Sequence, residues 1–243
     1  MKTNVAILGS GKISCDLLVK VKRSKYLECI MFAGRNENSA GIAFAKSLNT
    51  PTSTKSIEGV LLSKADIVFD ATTAQAHKLH APRLRDRFVI DLTPAKLFPL
   101  CVPGISKIPT KGGVSLGSCT IQAVIPKLAK IKNLEYVEVV TTVASESVGM
   151  GTRENLSEYL ETTQKAIHDF TGAKAKSILI INPSLQSMYN TIYAIKRGSK
   201  DPWIVHAELL GCGDYIDPRF GNLDVMTIAA INVAEDYAKH QNI

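Results

Sequence analysis

Apolar residues occur along the first hundred positions in two alternating rhythms. Short unbroken runs at Asn4 to Leu8, Glu28 to Ala33, Ile67 to Asp70 and Phe88 to Leu92 are separated by stretches in which apolar residues return every three or four positions, as with Ile13, Leu17, Leu18 and Val21. Unbroken apolar runs suit strands buried on both faces of a parallel sheet, and the intervening period predicts helices over 12–23, 38–48 and from about Thr73 to Leu84. The alternation predicts an α/β fold: a Rossmann-like doubly wound parallel sheet whose ligand lies at the carboxyl ends of its strands.

Past Leu97 the pattern changes. Prolines at 99, 103 and 109 interrupt regular structure, a short run covers Gly113 to Leu116, and Ile121, Ile125, Leu128 and Ile131 mark a helix. From Leu134 to Ser145 apolar and polar residues alternate, with Val137, Val139, Thr141 and Val143 on one face, which predicts a half-exposed, antiparallel strand. A loop over 147–155, a helix over 156–170 and strands over 176–182, 188–196 and 204–210 complete a second, α+β domain. The expected division is 1–115 for the first domain and 116–221 for the second, with the final helix, within 222–243, returning to the first.

Composition narrows the function classes. The 243 residues are 45% hydrophobic and 21% charged, as in an ordinary soluble globular protein, and no apolar run approaches the length of a membrane span. The net charge of +7 is spread widely, with its densest cluster at Lys20, Lys22, Arg23 and Lys25, and without the interleaved aromatics expected of a nucleic-acid surface. Such a balance suits attraction of a polyanionic cofactor. Five cysteines without a C-x-x-C pair predict a reducing, cytoplasmic compartment. His77 and His80 have no sequence-placed carboxylate or third ligand, so core or surface histidines are expected and no metal site.

Two stretches carry candidate chemistry. The first is Gly9-Ser10-Gly11-Lys12-Ile13-Ser14, between a strand and a helix, a dinucleotide fingerprint with Ser14 at the third glycine. The first glycine makes the turn and the second lets a pyrophosphate approach the backbone, while a plain turn is the alternative. Arg35, after the second strand, stands where an acidic residue would select NAD; it can meet the 2′-phosphate of NADP or stack on adenine. The loops at 9–12, 71–75 and 93–96 share the ligand edge, which makes Thr72 a candidate contact. Asp70 and Asp91 end strands there, where aspartates often cap a turn. The second stretch surrounds Cys119, at a strand-to-helix turn. Free N–H groups and the helix dipole lower a thiol pKa there, although a buried, inert cysteine fits the same position.

Taken together, Ile7 to Ile13, Asp66 to Thr72, Ile90 to Ala95, Cys119 with Gln122 to Pro126, Gly149 to Asn155 and Gly221 to Met226 resemble the acylating acetaldehyde dehydrogenases, in the same order and almost end to end. The resemblance implies that Cys119 forms the acyl-thioester. It implies nicotinamide-dinucleotide contacts from Ser10 to Ile13, from Ser147 to Asn155 (with Gly149 and Gly151 among them) and at Asn222. It also implies coenzyme A or another thiol as co-substrate, an aldehyde or acyl-thioester substrate, a homodimer and an aldolase partner. Asn155 becomes a candidate for orienting the thiol. Four departures stand out: Thr120-Ile121 replace two glycines after the cysteine, Tyr189-Asn190-Thr191 replaces an Arg-Asp-Thr stretch, Asn182 to Gln186 replaces a proline-rich segment, and a piece of helix and strand between Lys196 and Trp203 is missing. Asn190 therefore stands where the family has an acid, as a further candidate catalytic residue. Thr120, Tyr189 and Asn190 suggest an enlarged or polar acyl pocket. A biosynthetic NADPH-dependent acyl-thioester reductase and a non-catalytic dinucleotide-binding sensor are the competing readings.

Overall fold

The computed structural model of the protein describes residues 1–184 and 187–241. Leu185 and Gln186 of the altered proline segment, and residues 242 and 243, lie outside the described residues. Two compact units are present. One comprises Met1–Leu116, Asp214–Ile216 and Thr227–Ile243, and the other Gly117–Gly213 and Asp217–Met226.

The first unit is built on β1 (Thr3–Leu8), α1 (Lys12–Arg23), β2 (Leu27–Ala33), α2 (Ala40–Ser47), β3 (Thr52–Ser53), α3 (Ile57–Leu62), β4 (Ile67–Asp70), α4 (Ala74–His80), β5 (Phe88–Asp91) and β6 (Gly113–Ser115). Its six strands are parallel, in the order β3-β2-β1-β4-β5-β6. This is the doubly wound arrangement expected, with its crevice where the order reverses between β1 and β4. The unbroken apolar runs form the core: Val5, Ala6, Ile7, Leu8, Ile67, Val68 and Phe69 are wholly inaccessible to solvent, because helices cover both faces. The sequence pattern had given no element between 49 and 66, where β3 and α3 are too short to register a period.

Two polar devices complete this unit. Asp16, buried on α1, binds Lys20, the Thr227 hydroxyl (2.5 Å) and the N–H groups of Tyr215 (3.1 Å) and Ile216 (3.3 Å). Tyr237 stacks on Phe88 with ring centroids 4.0 Å apart and donates its hydroxyl to the carbonyl of Thr110. Thr227 and Tyr237 belong to the later part of α8 (Gly221–Gln241), the part that counts with this unit.

The second unit contains α5 (Cys119–Leu128), β7 (Leu134–Ala144), α6 (Met150–Glu154), α7 (Leu156–Thr171), β8 (Lys174–Asn182), β9 (Met188–Lys196) and β10 (Trp203–Leu209). Its strands run β10-β9-β7-β8, and the sheet is mixed, unlike the antiparallel one expected for 134–145: β7 pairs antiparallel with β9 but parallel with β8. The reason is the crossover through α6 and α7, which returns the chain to the starting end before β8 begins. The stretch 150–154, read as loop, forms the short helix α6, and α7 closes at Gly172, whose φ of +73° is the left-handed C-cap. One face of β7, with Val137, Val139, Thr141 and Val143, is buried, as the alternation required. The opposite face stays open. Ile180 and Ile204 are 44% and 59% exposed there.

Gly9 carries a conformation that no other residue tolerates well. Its φ is +123°, and a Cβ would stand 2.7 Å from the carbonyl oxygen of Ala71. Gly9→Ala is therefore expected to destabilise the first unit by roughly 1–3 kcal/mol, read as a lower urea midpoint.

Candidate active site

At the carboxyl edge of the first sheet, Gly9 to Ile13 turn from β1 into α1. Gly11 is the N-cap residue, no side chain caps the helix, and nothing lies within 4 Å of the position its Cβ would take. Uncapped N–H groups beside open backbone fit a bound pyrophosphate. Ser14, at the third glycine position, is fully buried and its Oγ has no protein partner. Ser10 is half-buried, while Lys12 and Arg35 are exposed.

Beneath this edge lies a buried ionic cluster absent from the sequence reading. Asp70 Oδ2 meets His77 Nδ1 at 2.8 Å and His80 Nδ1 at 3.4 Å, and His77 Nε2 lies 3.5 Å from Asp91 Oδ2. Each aspartate also caps its turn. Asp70 Oδ1 accepts from Thr72 N (3.1 Å) and Thr72 Oγ1 (2.5 Å), and Asp91 accepts from Thr93 N and from Ser115 Oγ, both at 2.7 Å. Burial alone would raise the Asp70 pKa, but the hydrogen bonds from His77 and Thr72, with the His80 ring close by, outweigh it and hold the group at about 2. Burial raises Asp91. For His77, burial opposes the charged form, yet the bond to Asp70 and the charges of Asp91 and Asp70 hold the imidazole above its ordinary value. Sequence placed Asp70 and Asp91 on one edge, and an Asp followed seven residues later by a helical His was the available signal.

In the second unit Cys119 is the first residue of α5. Ser118 caps the helix by accepting from Ile121 N at 3.2 Å, and its hydroxyl also meets Thr163 Oγ1 of α7 at 3.1 Å. Cys119 is half-buried as a residue, and its sulfur lies 3.3 Å from the hydroxyl of Tyr159, a residue the sequence did not single out. Tyr159 is held in turn: its N–H donates to the carbonyl of Asn155 at 3.0 Å and its carbonyl accepts from Thr163 Oγ1 at 2.9 Å. The expectation of a lowered thiol pKa is corrected. Burial pushes Cys119 upward, and the Tyr159 hydroxyl and the N–H groups of Thr120 and Cys119 only oppose that rise.

From Tyr159 a line of hydroxyls runs into the core. Tyr159 Oη meets Thr120 Oγ1 at 2.6 Å, Thr120 Oγ1 donates to Thr141 Oγ1 at 2.8 Å, and Thr141 Oγ1 donates to Asn190 Oδ1 at 2.8 Å. Asn190 is thus linked to Cys119 through three hydroxyls. Tyr189 does not join it, because successive strand residues point to opposite faces. Its ring stacks on His206 and its hydroxyl donates to Glu208. Thr120 and Asn190 are both buried and bonded to Thr141.

The other expected contacts fall around α6. Gly149 is its N-cap, Gly151 lies within it and the exposed Asn155 follows it. Ser147 is buried, and its carbonyl accepts from Asn222 Nδ2 at 3.4 Å, which brings those two together. All five cysteines are free thiols. Among the described residues no helix is long and apolar enough to cross a membrane.

A doubly wound first unit with a glycine turn, joined in one chain to a mixed-sheet unit bearing a cysteine at a helix start, defines an α/β protein of the Rossmann-containing class. Its fold is shared with GenD2 from gentamicin A biosynthesis, solved in complex with NAD (TM-score 0.65, 12% identity, 98% of this chain and 86% of that one), and with a myo-inositol dehydrogenase from Corynebacterium glutamicum ATCC 13032 (TM-score 0.64, 12% identity, 99% and 90%). Residues 119–210 match the profile described as "Prokaryotic acetaldehyde dehydrogenase, dimerisation". The chain is 38% identical to the acetaldehyde dehydrogenase of Spirochaeta aurantia, covering 97% of this chain and 94% of that protein, and 39% identical to that of Pectobacterium atrosepticum, covering 96% and 95%. It belongs to the acetaldehyde dehydrogenase family. Each of these alignments spans 281 positions, more than the chain possesses, so these relatives carry sequence that it lacks.

Proposed function

We propose that the protein is a cytoplasmic NAD(P)-dependent oxidoreductase that interconverts an aldehyde and an acyl-thioester through a thioester on Cys119. The observation that carries this reading is Cys119 at the first position of α5, half-buried, where the N–H groups of Cys119 and Thr120 at the helix start favour its thiolate. Those donors suit the oxyanion formed when the thiolate adds to a carbonyl. Gly9 to Ile13, with Arg35 and Thr72, would hold a dinucleotide; the uncapped start of α1 and the open space at Gly11 support that role. When bound, the nicotinamide supplies the two-electron chemistry, taking hydride from the Cys119 hemithioacetal or giving it to the acyl-thioester. Coenzyme A then attacks the acyl-Cys119 carbonyl, forming acyl-CoA and returning the Cys119 thiol. Ser147, Gly149, Gly151, Asn155 and Asn222 are proposed cofactor contacts of the second unit. The open sheet face around Ile180 and Ile204 supports homodimerisation, since such an apolar surface favours burial against a second copy.

A spectrophotometric screen of NADH and NADPH against acetyl-CoA and longer or polar acyl-CoA thioesters tests the reading. Thioester-dependent oxidation is expected, with an acyl adduct on Cys119 found by mass spectrometry. Arg35 is expected to favour NADPH, and Arg35→Ala to lower that preference. An acyl group found only on other cysteines would sink the assignment.

A further inference from the structure

The hydroxyls between Cys119 and Asn190 have a definite polarity. Thr141 donates to Asn190 Oδ1 and Thr120 donates to Thr141. Each hydroxyl has one hydrogen, so Tyr159 must donate to Thr120, and the thiol S–H is left to donate to the Tyr159 oxygen. With Asn190 presenting its oxygen, every hydrogen therefore points away from the sulfur. That arrangement satisfies a thiol; Tyr159 can favour the thiolate, as it does in opposing the rise of the Cys119 pKa, only with the chain turned the other way.

We propose that Tyr159, Thr120, Thr141 and Asn190 form a reversible hydroxyl chain that sets the ionisation state of Cys119, with rotation of the Asn190 amide reversing its direction. Asn190 turned to present Nδ2–H donates to Thr141, Thr141 then donates to Thr120, Thr120 to Tyr159, and Tyr159 to the thiolate. An amide can present either end, whereas a carboxylate in its place could only accept. Asn190 takes up no proton, so the chain reorients and does not conduct; the thiol proton leaves to water, since Cys119 is only partly buried. Tyr159 is the catalytic residue of this set because it touches the reacting atom. Thr141 and Asn190 are positioning residues that act through it, and Thr120, which links them to it, also lies close enough to Cys119 to favour the thiolate directly.

Other ionisable groups on the packed elements are turned elsewhere. Lys127 is at the far end of α5, and Glu158 and Glu161 are exposed on α7. Tyr136 and Glu138 of β7, and Tyr189 and Tyr193 of β9, alternate with Thr141 and Asn190 and so face the opposite side of the sheet. Burial raises the Tyr159 pKa well above its ordinary value, which keeps it a hydroxyl throughout the working range.

The inference rests on Cys119 being the nucleophile, but its test needs no turnover: the pH dependence of Cys119 alkylation by iodoacetamide, followed on the Cys119 peptide in the full chain. Tyr159→Phe should raise the apparent thiol pKa by about one unit or more, because the lost bond is stronger to the anion. Asn190→Asp should also raise it by about a unit, since an accept-only end fixes the hydrogens away from sulfur. Adding Thr141→Val should cancel most of the Asn190→Asp shift by cutting the chain at a link that does not meet the sulfur. A Tyr159→Phe profile identical to wild type would overturn the proposal. So would an Asn190→Asp shift that survives Thr141→Val, which would mean direct charge repulsion. If the shifts appear as described but no acyl-Cys119 forms with any thioester, the chain stands and the functional reading falls.

Discussion

Cys119→Ala abolishes thioester-dependent oxidation of reduced nicotinamide cofactor, an expected loss of roughly 10⁴-fold or more. The size follows from what is removed, since the nucleophile is the group to which the acyl chain bonds and no neighbouring side chain can take its place. Thr120 is fully buried and bonded to Thr141, and Tyr159 is a hydroxyl of strongly raised pKa. Cys119→Ser should be nearly as inactive, because a hydroxyl is far less acidic than a thiol. Neither change disturbs the Ser118 cap, so thermal melting should stay close to wild type. In the unmodified protein, adduct formation should quicken as pH rises into the thiol range, because burial lifts the Cys119 pKa and the thiolate fraction grows only toward it. Full turnover by Cys119→Ala would refute the covalent mechanism and leave the first unit as a dinucleotide binder only.

His77→Leu is expected to cost the first unit roughly 3–5 kcal/mol, because it strips the counter-ion from buried Asp70 and Asp91. Urea titration would measure it, and adding Asp70→Asn should recover part of the loss by removing one uncompensated charge. The pH dependence has two edges. His77 has a raised folded pKa, so its contribution is full below the ordinary histidine value and is lost as pH rises through the raised one. Asp70 has a depressed folded pKa of about 2, so its contribution is present above the ordinary carboxylate value and lost as pH falls toward 2. The unit should be most stable between those limits. A double variant no more stable than His77→Leu would mean that lost packing against Phe98, whose ring meets His77 edge-on, dominates the effect.

What could be read in the sequence follows the range of the interactions involved. The strands from Val5 to Leu8 and from Ile67 to Asp70 were legible because a parallel strand buried on both sides must be apolar without interruption. The two residues of β3 and the six of α3 were not, since neither completes two periods of its pattern. The mixed character of the second sheet was hidden as well, because pairing direction depends on a crossover and not on the composition of β7. For chemistry, Cys119 was visible from its strand-to-helix position. Tyr159 was not, because it reaches the sulfur only through the packing of α7 on α5, and no spacing along the chain encodes a contact forty residues away. The pairing of His77 with Asp70 and Asp91 needed the same kind of information.

Tyr189 and Asn190 are neighbours in β9 with separate duties: one lies against His206 and Glu208, and the other ends the line that begins at Cys119. A slip of β9 by one residue would exchange them, putting a phenol ring where Thr141 needs an amide. The alignment of β9 with β7, in which Asn190 stands opposite Thr141, is therefore as much a part of the thiol's surroundings as any atom that touches it. Substitutions at the far end of that strand, near Ile195 and Lys196, should be felt at the sulfur whenever they loosen that alignment.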